Sequence, residues 1–242
     1  MADLPLRWSP RLDVGLQYLL PHHLVARAMY AATRVRWAAV REVAIRRFVQ
    51  HFRVDLSEVS PPEGGAYEHF NAFFTRALRP GARPVAPAPE AVSCPCDGTL
   101  SQFGTVTDGR IFQAKGHDFS LLELLGGDPK RAAPFAGGAF ATIYLSPRDY
   151  HRVHMPVAGS LSEMIHVPGR LFSVNPVTTR LVPRLFSRNE RLLCLFHGDP
   201  GPVAVILVGA IIVGGIETVW AGEITPRRRP LEAVRYAGGD LK

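Results

Sequence analysis

The character of the sequence changes near Ala91, and this change restricts the folds that the chain can adopt. From that point short apolar runs alternate with Gly and Pro, which is typical of a β-rich domain with hairpin and meander connections. One helical stretch is predicted within this part, at residues 120–125. The predicted strands lie at 99–106, 111–114, 139–145, 161–167, 192–196, 203–208 and 211–220.

Before Ala91 the pattern is mainly helical. Apolar residues recur at helical spacing from about residue 12 to residue 52, with a break predicted at Pro21. Residues 67–78 predict a short amphipathic helix, and the prolines that follow predict a stiff connector. We therefore expect an α+β fold in three segments: a basic amphipathic helical region at 1–53, a helix with a Pro-rich connector at 54–90, and a β-rich domain at 91–242.

The positive charge of the chain is concentrated in its first quarter. The net charge is +7, and residues 1–53 alone carry nine arginines against three acidic residues, a net charge of +6. This excess predicts a polyanionic partner such as nucleic acid, anionic lipid or an acidic protein. A basic amphipathic helix with aromatic residues favours a membrane interface, although an ordinary helix packed on its own domain would show the same pattern. The residues concerned are Arg27, Arg34 and Arg41, expected on one flank of a helix, and the aromatics Trp8, Tyr18, Tyr30 and Trp37.

The cysteines and the N-terminus limit the compartment and the chemistry. Three cysteines are an odd number, which argues against a secreted disulfide framework. Cys94 and Cys96 are spaced like a chelating or redox-active pair, but no second Cys or His pair has suitable spacing, so we expect no metal site. The sequence shows no signal-peptide pattern and no apolar run of the ~20 residues that span a bilayer. The expected location is the cytoplasm or a membrane face.

Two histidines stand out in the stretch Tyr144-Leu-Ser-Pro-Arg-Asp-Tyr-His-Arg-Val-His-Met-Pro-Val-Ala-Gly159. His151 and His154 can each exchange a proton near neutral pH, which suits proton transfer or anion binding. Their spacing alone is weak evidence, because surface or structural histidines are often spaced in this way. Asp97 lies in an Asp-Gly pair, which is first of all a turn former. A carboxylate there could instead orient a histidine, with His154 as the base and His151 facing substrate.

The combined wording of three segments is far more specific than any of them alone. The histidine stretch, Cys94-Pro-Cys-Asp-Gly98 and Val213-Gly-Gly-Ile-Glu-Thr-Val-Trp-Ala-Gly222 together resemble the phosphatidylserine decarboxylases, pyruvoyl-dependent enzymes that make phosphatidylethanolamine. The resemblance runs from about Leu16 to Gly222. It implies a β-rich decarboxylase domain, membrane-associating helices and a peripheral location on the cytoplasmic face of the inner membrane. The implied partners are phosphatidylserine, an anionic phospholipid membrane and a small pyruvoyl-bearing α chain, with a homodimer left open.

The resemblance also implies roles for individual residues. In the family, an Asp in a Pro-x-Asp-Gly turn, the second His of Tyr-His-Arg-x-His and a Ser in a Leu-Gly-Ser-Thr motif form a self-processing triad. The serine attacks the preceding carbonyl, the chain is cut, and the new N-terminus becomes a pyruvoyl group. Its ketone forms a Schiff base with phosphatidylserine and acts as the electron sink for loss of CO2. By this match Asp97 and His154 take processing roles, and His151 lies beside the substrate carboxylate and phosphate as proton donor to the carbanion.

The sequence departs from the family pattern in one respect. It contains no Leu-Gly-Ser-Thr, and Gly is followed by Ser only at Gly159-Ser160, where we expect a turn into a strand. The chain is therefore expected to lack the serine that forms the pyruvoyl group. It would correspond to the large β chain, or to a proenzyme truncated before its processing site.

Two other hypotheses remain open from the sequence. A non-catalytic homologue with the same fold would bind anionic lipid through the arginine-bearing helices and release no CO2. A nucleic-acid-binding protein would also fit the positive charge. However, no nucleic-acid-binding motif is present, and aromatics interleaved with Ala and Val suit a membrane interface better, so we expect no nucleic-acid partner.

Overall fold

The computed structural model describes residues 9–86, 88, 91–226 and 230–236 of the chain. Within them the fold is α+β, as predicted, with long helices in the N-terminal part and a β-rich C-terminal part. The helices of the first part are α1 (Pro10–Leu19), α2 (His22–Thr33), α3 (Ala38–Phe52) and α4 (Phe70–Phe74), with a 3-10 helix at Glu63–Gly65.

The β-rich part is antiparallel where its register is defined. One four-stranded sheet has the order β10-β5-β6-β7, and three two-stranded sheets pair β1 with β4, β2 with β3, and β8 with β9. The strands are β1 (Thr99–Thr105), β2 (Arg110–Ala114), β3 (His117–Ser120), β4 (Ala139–Tyr144), β5 (Gly159–Val167), β6 (Arg191–Gly198), β7 (Gly201–Val208), β8 (Ile216–Thr218), β9 (Gly222–Thr225) and β10 (Glu232–Arg235). The short helices among them are α5 (Leu121–Leu124), α6 (Pro129–Ala132), α7 (Pro176–Leu181) and α8 (Leu185–Arg188), with a 3-10 helix at Ala133–Phe135.

Six of the predicted strands are confirmed, and the last one is only partly correct. The stretch predicted as a strand at 211–220 forms one only at Ile216–Thr218. The residues before it turn instead, because the Ala210 amide donates to the Val213 carbonyl at 3.0 Å. The predicted helix at 120–125 is confirmed as α5, and the helix predicted at 67–78 is confirmed only over Phe70–Phe74.

The described chain divides into two compact units. The first contains Met29–Thr99 and Ile143–Val157, and the second contains residues 9–28, Leu100–Thr142 and 158–236. Helix α2 and strands β1 and β4 therefore each contain residues of both units. All three residues of the predicted site, Asp97, His151 and His154, belong to the first unit.

The predicted helix break at Pro21 is confirmed. Helix α1 ends at Leu19 and α2 begins at His22, because proline lacks the amide hydrogen that a continuous helix needs and clashes with the preceding turn.

A second break, at residues 34–37, does not follow from the apolar pattern. The Thr33 hydroxyl donates to the Tyr30 carbonyl at 3.1 Å, and the amides of Arg34 and Val35 reach back three residues, at 3.2 and 3.4 Å. Such tight bonds are typical of a helix that is ending. Arg34 therefore lies in a connector, and the expectation that it shares one helix flank with Arg27 and Arg41 is wrong.

Helix α1 belongs to the second unit and packs with one face on its β-rich part. Val14 is buried in a cluster with Phe172, and the ring of Tyr18 lies 4.8 Å from that of Phe172. Just beyond the helix, His22 accepts a hydrogen bond from the Leu171 amide at 3.1 Å. Burial lowers the pKa of His22, which keeps the ring neutral and able to accept. The first helix is thus anchored to the β-rich part by ordinary packing.

The core of the second unit is centred on β5 and β6. Ile165 and Leu193 are paired across the two strands, and both are fully buried. Asn189, also fully buried, donates to the carbonyls of Phe172 and Gly209 at 2.9 Å each. A side chain thus supplies hydrogen bonds where the strand ladder ends, which keeps the buried backbone satisfied.

The first unit has a small aromatic core between α3 and α4. The ring of Phe48 on α3 contacts those of Phe70, Phe73 and Phe74, with centroid distances of 5.1, 6.1 and 6.0 Å. These edge-to-face contacts fix α4 against α3. Helix α4 in turn contacts the candidate site, because the ring of Phe74 lies 4.0 Å from that of His151.

Replacement of Gly169 by alanine should destabilise the second unit. A Cβ at this position would lie 2.5 Å from the Arg188 carbonyl oxygen and 2.6 Å from the Glu190 nitrogen, so backbone would have to move. We expect Gly169→Ala to lower the free energy of unfolding by about 1–3 kcal/mol, measured by urea denaturation. The matched control is Gly15→Ala in α1, where nothing lies within 4 Å of the new Cβ. That variant should gain up to about 1 kcal/mol from helix propensity, and equal stability of the two variants would contradict the close approach at Gly169.

Candidate active site

The segment after β4 carries both histidines and is fixed by backbone hydrogen bonds. The His154 amide donates to the Pro95 carbonyl at 2.7 Å, and the Ser93 amide donates to the Pro156 carbonyl at 2.9 Å. Residues 93–97 and 154–156 therefore run side by side within the first unit. This pairing brings the Asp97 turn into the neighbourhood of the histidines.

The turn at Asp97 requires the glycine that follows it. Gly98 has a φ of 151°, and a Cβ on it would lie 2.6 Å from the Tyr144 carbonyl oxygen. Any larger residue would push the turn away from the end of β4. The prediction that Asp97 lies at a tight turn leading into a strand is therefore confirmed.

The carboxylate of Asp97 is bound by Arg83. Nε and Nη2 of Arg83 donate to Oδ1 and Oδ2 of Asp97 at 2.8 and 2.6 Å, and Nη1 donates to Glu58 at 2.8 Å. The guanidinium of Arg83 is the main reason why the pKa of Asp97 is lowered, with smaller contributions from the charges of Arg76 and His154. No hydrogen bond joins the side chains of Asp97 and His154 in the described part of the chain.

His154 is exposed and is paired with Tyr150. Its Nε2 lies 3.0 Å from the Tyr150 hydroxyl, and the two rings stack with centroids 5.6 Å apart. Tyr150 is itself buried, and burial raises the pKa of its phenol, so the hydroxyl stays protonated. A protonated hydroxyl next to an imidazole nitrogen can hold that nitrogen in place or pass a proton to it.

His151 is oriented by the backbone. Its Nδ1 lies 2.8 Å from the Asp149 carbonyl oxygen, and since a carbonyl only accepts, Nδ1 must carry the hydrogen. Burial is the main reason why the pKa of His151 is lowered, and its ring lies 4.0 Å from that of Phe74. The neutral ring therefore presents Nε2 as a hydrogen-bond acceptor and a base. To act as the predicted proton donor, His151 must first gain a proton.

A cavity of about 280 Å³ in the first unit joins several of these groups. Its walls include Tyr150 and Asp97 together with the arginines Arg53, Arg76, Arg83 and Arg148. The acidic residues Asp55, Glu58 and Asp149 line the same cavity, so it carries both signs of charge. A second cavity, of about 220 Å³, lies in the second unit and contains none of the three predicted site residues.

The cysteines near Asp97 are not arranged for redox or metal chemistry. The Cys94 thiol donates to the Cys96 carbonyl at 3.2 Å, and burial raises the pKa of Cys96 to about 11. A thiol with this pKa stays protonated at neutral pH and is a poor nucleophile and metal ligand.

Comparison with known proteins finds relatives over most of this chain. A model of the phosphatidylserine decarboxylase family matches residues 70–238, and a second family model, PSD, matches residues 12–53. The phosphatidylserine decarboxylase proenzymes of Stutzerimonas stutzeri and Bordetella bronchiseptica are both 60% identical to this chain, over 226 and 229 residues. The alignments cover 93% and 95% of this chain and 76% and 77% of those relatives. The proenzyme of Pseudomonas aeruginosa is 58% identical over 231 residues, which are 96% of this chain and 80% of the relative.

The chain belongs to the phosphatidylserine decarboxylase family. The resemblance noted from the sequence motifs is thereby confirmed. The family match at 70–238 includes Asp97, His151 and His154. The roles of these three residues in this family member remain proposals, which the geometry supports to different degrees.

Two residues of this decarboxylase site did not follow from the sequence. Tyr150 belongs to the recognised motif and directly precedes His151, so its position was the only signal. Arg83 lies between Pro80 and Pro84 in a stretch that predicts a stiff connector, and nothing in that pattern indicates a partner for Asp97. The contact between Arg83 and Asp97 forms only in the folded chain, and the spacing of the two residues in the sequence does not predict it.

Removal of the Arg83 side chain should make stability less dependent on pH. The pKa of Asp97 is lowered in the folded state, so the pair stabilises fully above the unfolded Asp pKa of about 4, and this contribution is lost as pH falls through the folded pKa. The side chains of Arg83 and Asp97 are 45% and 27% exposed, so solvent screening limits the effect to about 1 kcal/mol at pH 7. We expect Arg83→Met to lose about this amount at pH 7 and clearly less at pH 3, measured by urea unfolding.

The control for this prediction is the same substitution in an Asp97→Asn background. There Arg83→Met should remove only the contact with Glu58, so its effect at pH 7 should shrink. An equal loss at both pH values in the wild-type background would show that Arg83 does not hold the Asp97 carboxylate.

Proposed function

We propose that this chain supplies the substrate-binding and acid–base groups for decarboxylation of phosphatidylserine to phosphatidylethanolamine and CO2. The observation that carries the proposal is that Asp97 and Tyr150 line one cavity with four arginines, while Tyr150 contacts His154 and precedes His151 in the chain. Membership of the family supports it, since the relatives described above are named phosphatidylserine decarboxylase proenzymes.

His151 is the group that moves protons at the substrate. With Nδ1 engaged by Asp149, its Nε2 can accept a proton from the ammonium group of the headgroup. The same nitrogen can return a proton to the carbon that loses CO2. Burial of the ring favours the neutral form at the start, which suits this order of events. This refines the role of simple proton donor expected from the sequence.

His154 is the base for chain cleavage, with Asp97 as its electrostatic support. His154 is exposed, so a serine hydroxyl on another segment can reach it. The Asp97 carboxylate, kept ionised by Arg83, favours the protonated imidazole that forms when the serine is activated. Tyr150 positions the ring through its hydroxyl.

A pyruvoyl group fits the residues that are present. The Nε2 of His151 has no hydrogen-bond partner among the described residues. The acidic residue of its own loop, Asp149, is hydrogen-bonded to Ser146 and so does not compete for this nitrogen. When bound, a pyruvoyl ketone supplies an electron sink for an amine-bearing carbon that loses CO2. The relatives are named proenzymes, a name that is consistent with processing into two chains. We assign the pyruvoyl group to a small α chain, with His151 as the base that serves it.

Histidine variants of the proenzyme, isolated from cells carrying the natural locus, test this assignment. His154→Ala should leave the chain uncut, seen as a single species in an intact mass spectrum. His151→Ala should be cut normally but release CO2 from phosphatidylserine vesicles at least about 100-fold more slowly. The control is His197→Ala, an exposed histidine in β6 of the second unit, which should be cut and should turn over normally.

The two outcomes exclude different parts of the proposal. Normal cutting of His154→Ala removes this histidine from processing, and normal CO2 release by His151→Ala removes His151 from catalysis. Wild-type protein that binds phosphatidylserine but never releases CO2 would support the alternative of a non-catalytic lipid-binding homologue.

We also propose peripheral attachment of this chain to the cytoplasmic face of the inner membrane. No helix within the described ranges is long and apolar enough to cross a bilayer. Helix α1 nevertheless exposes Leu12, Leu16 and Leu19, with Leu19 82% exposed. These residues are four and three positions apart, so they form one apolar stripe on the helix. An apolar stripe that the protein leaves uncovered can enter a lipid interface.

Removal of the stripe on α1 should release the protein from vesicles. Because each buried leucine contributes about 1.5–3 kcal/mol, we expect the triple variant Leu12→Gln, Leu16→Gln, Leu19→Gln to bind anionic vesicles at least about tenfold more weakly in cosedimentation. A matched control replaces three other exposed apolar residues of the second unit by glutamine. These are Phe103, Ile212 and Val219. Unchanged binding of the α1 variant, or an equal loss in the control, would contradict a specific role for the stripe.

A further inference from the structure

Arg76 is a buried cation with incomplete pairing. The residue follows α4 and is only 3% exposed. Its Nη2 donates to the Arg148 carbonyl at 3.1 Å, while Nε and Nη1 have no hydrogen-bond partner in the described part of the chain. Since most buried polar groups in proteins are paired, this exception requires an explanation.

The acidic groups around Arg76 are already engaged elsewhere. Both carboxylate oxygens of Asp97 accept hydrogen bonds from Arg83. Asp149 accepts from the amide and the hydroxyl of Ser146, at 2.6 and 2.8 Å. The guanidinium lies over the ring of Phe73, with Cζ 5.2 Å from the ring centroid. Burial lowers the pKa of Arg76, as expected for a cation that lacks a contacting anion.

Such a group is unfavourable in the unliganded protein. Removal of a charge from water carries a large desolvation penalty, which only a close counterion offsets. Arg76 lines the cavity that also contains Tyr150, Asp97 and Arg148. The two unpaired nitrogens are shielded from solvent in the unliganded protein, so an anion reaches them only when a neighbouring side chain moves. Arg148 lines the same cavity, and its side chain is 67% exposed and lies 3.8 Å from Asp149.

We propose that Arg76 binds the phosphodiester of the phospholipid headgroup in this cavity. The proposal rests on the function proposed above, and it selects the phosphate rather than the carboxylate for a chemical reason. A cation held against the carboxylate would stabilise the substrate more than the transition state, in which that charge is being lost with CO2. The phosphodiester keeps its charge throughout the reaction. A cation there can hold substrate and transition state alike, while His151 acts on the neighbouring carbon.

Titration calorimetry of the 242-residue chain with soluble headgroups tests the proposal. The probes are glycerophosphoserine, glycerophosphoethanolamine and inorganic phosphate. Arg76→Met should weaken binding of both glycerophospho compounds by about tenfold or more, because a hydrogen bond to a charged group is lost. Arg76→Lys should keep part of the affinity. The matched control is Arg47→Met, an exposed arginine on α3 of the same unit, which should bind as the wild type does.

Thermal unfolding without ligand separates binding from structure. Arg76→Met removes an unpaired buried charge, so it should be at least as stable as the wild type. A variant that is less stable but binds normally would make Arg76 structural and overturn the proposal. So would no affinity of the wild type for either glycerophospho compound.

The choice of probes distinguishes the remaining outcomes. Loss of affinity for glycerophosphoserine alone would place the carboxylate at Arg76 and overturn the phosphodiester assignment. Inorganic phosphate that binds as tightly as the headgroups would indicate a general phosphate site and also overturn it. These readouts involve no turnover. Arg76-dependent binding by the 242-residue chain, together with no CO2 release by the protein isolated from cells carrying the natural locus, would reject the decarboxylase function and leave the phosphodiester site standing.

Discussion

The candidate site depends on two backbone hydrogen bonds that join segments distant in sequence. The bonds from His154 to Pro95 and from Ser93 to Pro156 place the Asp97 turn beside the histidine segment. Backbone bonds of this kind do not change with the protonation of side chains. The frame therefore does not depend on which side chain Asp97 contacts. For the proposed cleavage step this means that Asp97 can change its partner from Arg83 to His154 without loss of the backbone frame.

Two arginines near this frame are in opposite electrostatic states. Arg83 contacts two carboxylates, Asp97 and Glu58, and its side chain is 45% exposed. Arg76 is buried and has one hydrogen bond, to a carbonyl. A saturated, solvated cation sets the ionisation of its neighbours, whereas an unsaturated, desolvated one favours the arrival of an anion. Arg83 is thus the main group that lowers the pKa of Asp97, with Arg76 a smaller contributor, and Arg76 is the cation to which we assign the anion site.

Local pattern predicted most strands, because alternating apolar runs between Gly and Pro identify segments that a sheet can bury. Helix α7 could also have been predicted, since Asn175 caps it and Pro176 occupies its first turn. The helix break at 34–37 and the pairing of Asp97 with Arg83 could not be predicted, because both depend on contacts that form only in the folded chain. The functional segments predicted at 1–53, 54–90 and 91–242 stay a prediction. Helix α1 shows why the sequence could not decide between a packed helix and a membrane-interface helix. One face of its ten residues packs on Phe172, and the same ten residues also carry an uncovered apolar stripe.

The protonation state of His151 connects the fold to the chemistry. Decarboxylation replaces a carbon–carbon bond by a carbon–hydrogen bond, so a proton must be delivered to carbon after CO2 leaves. A histidine that was protonated from the start would attract the carboxylate and stabilise the substrate. The Asp149 carbonyl instead fixes the hydrogen on Nδ1, and burial against Phe74 favours the neutral ring. In the proposed mechanism His151 becomes a donor only after it has taken a proton from the substrate itself. The proposed order of proton transfers thus rests on one carbonyl contact and one aromatic neighbour, both of which are set by the fold of the first unit.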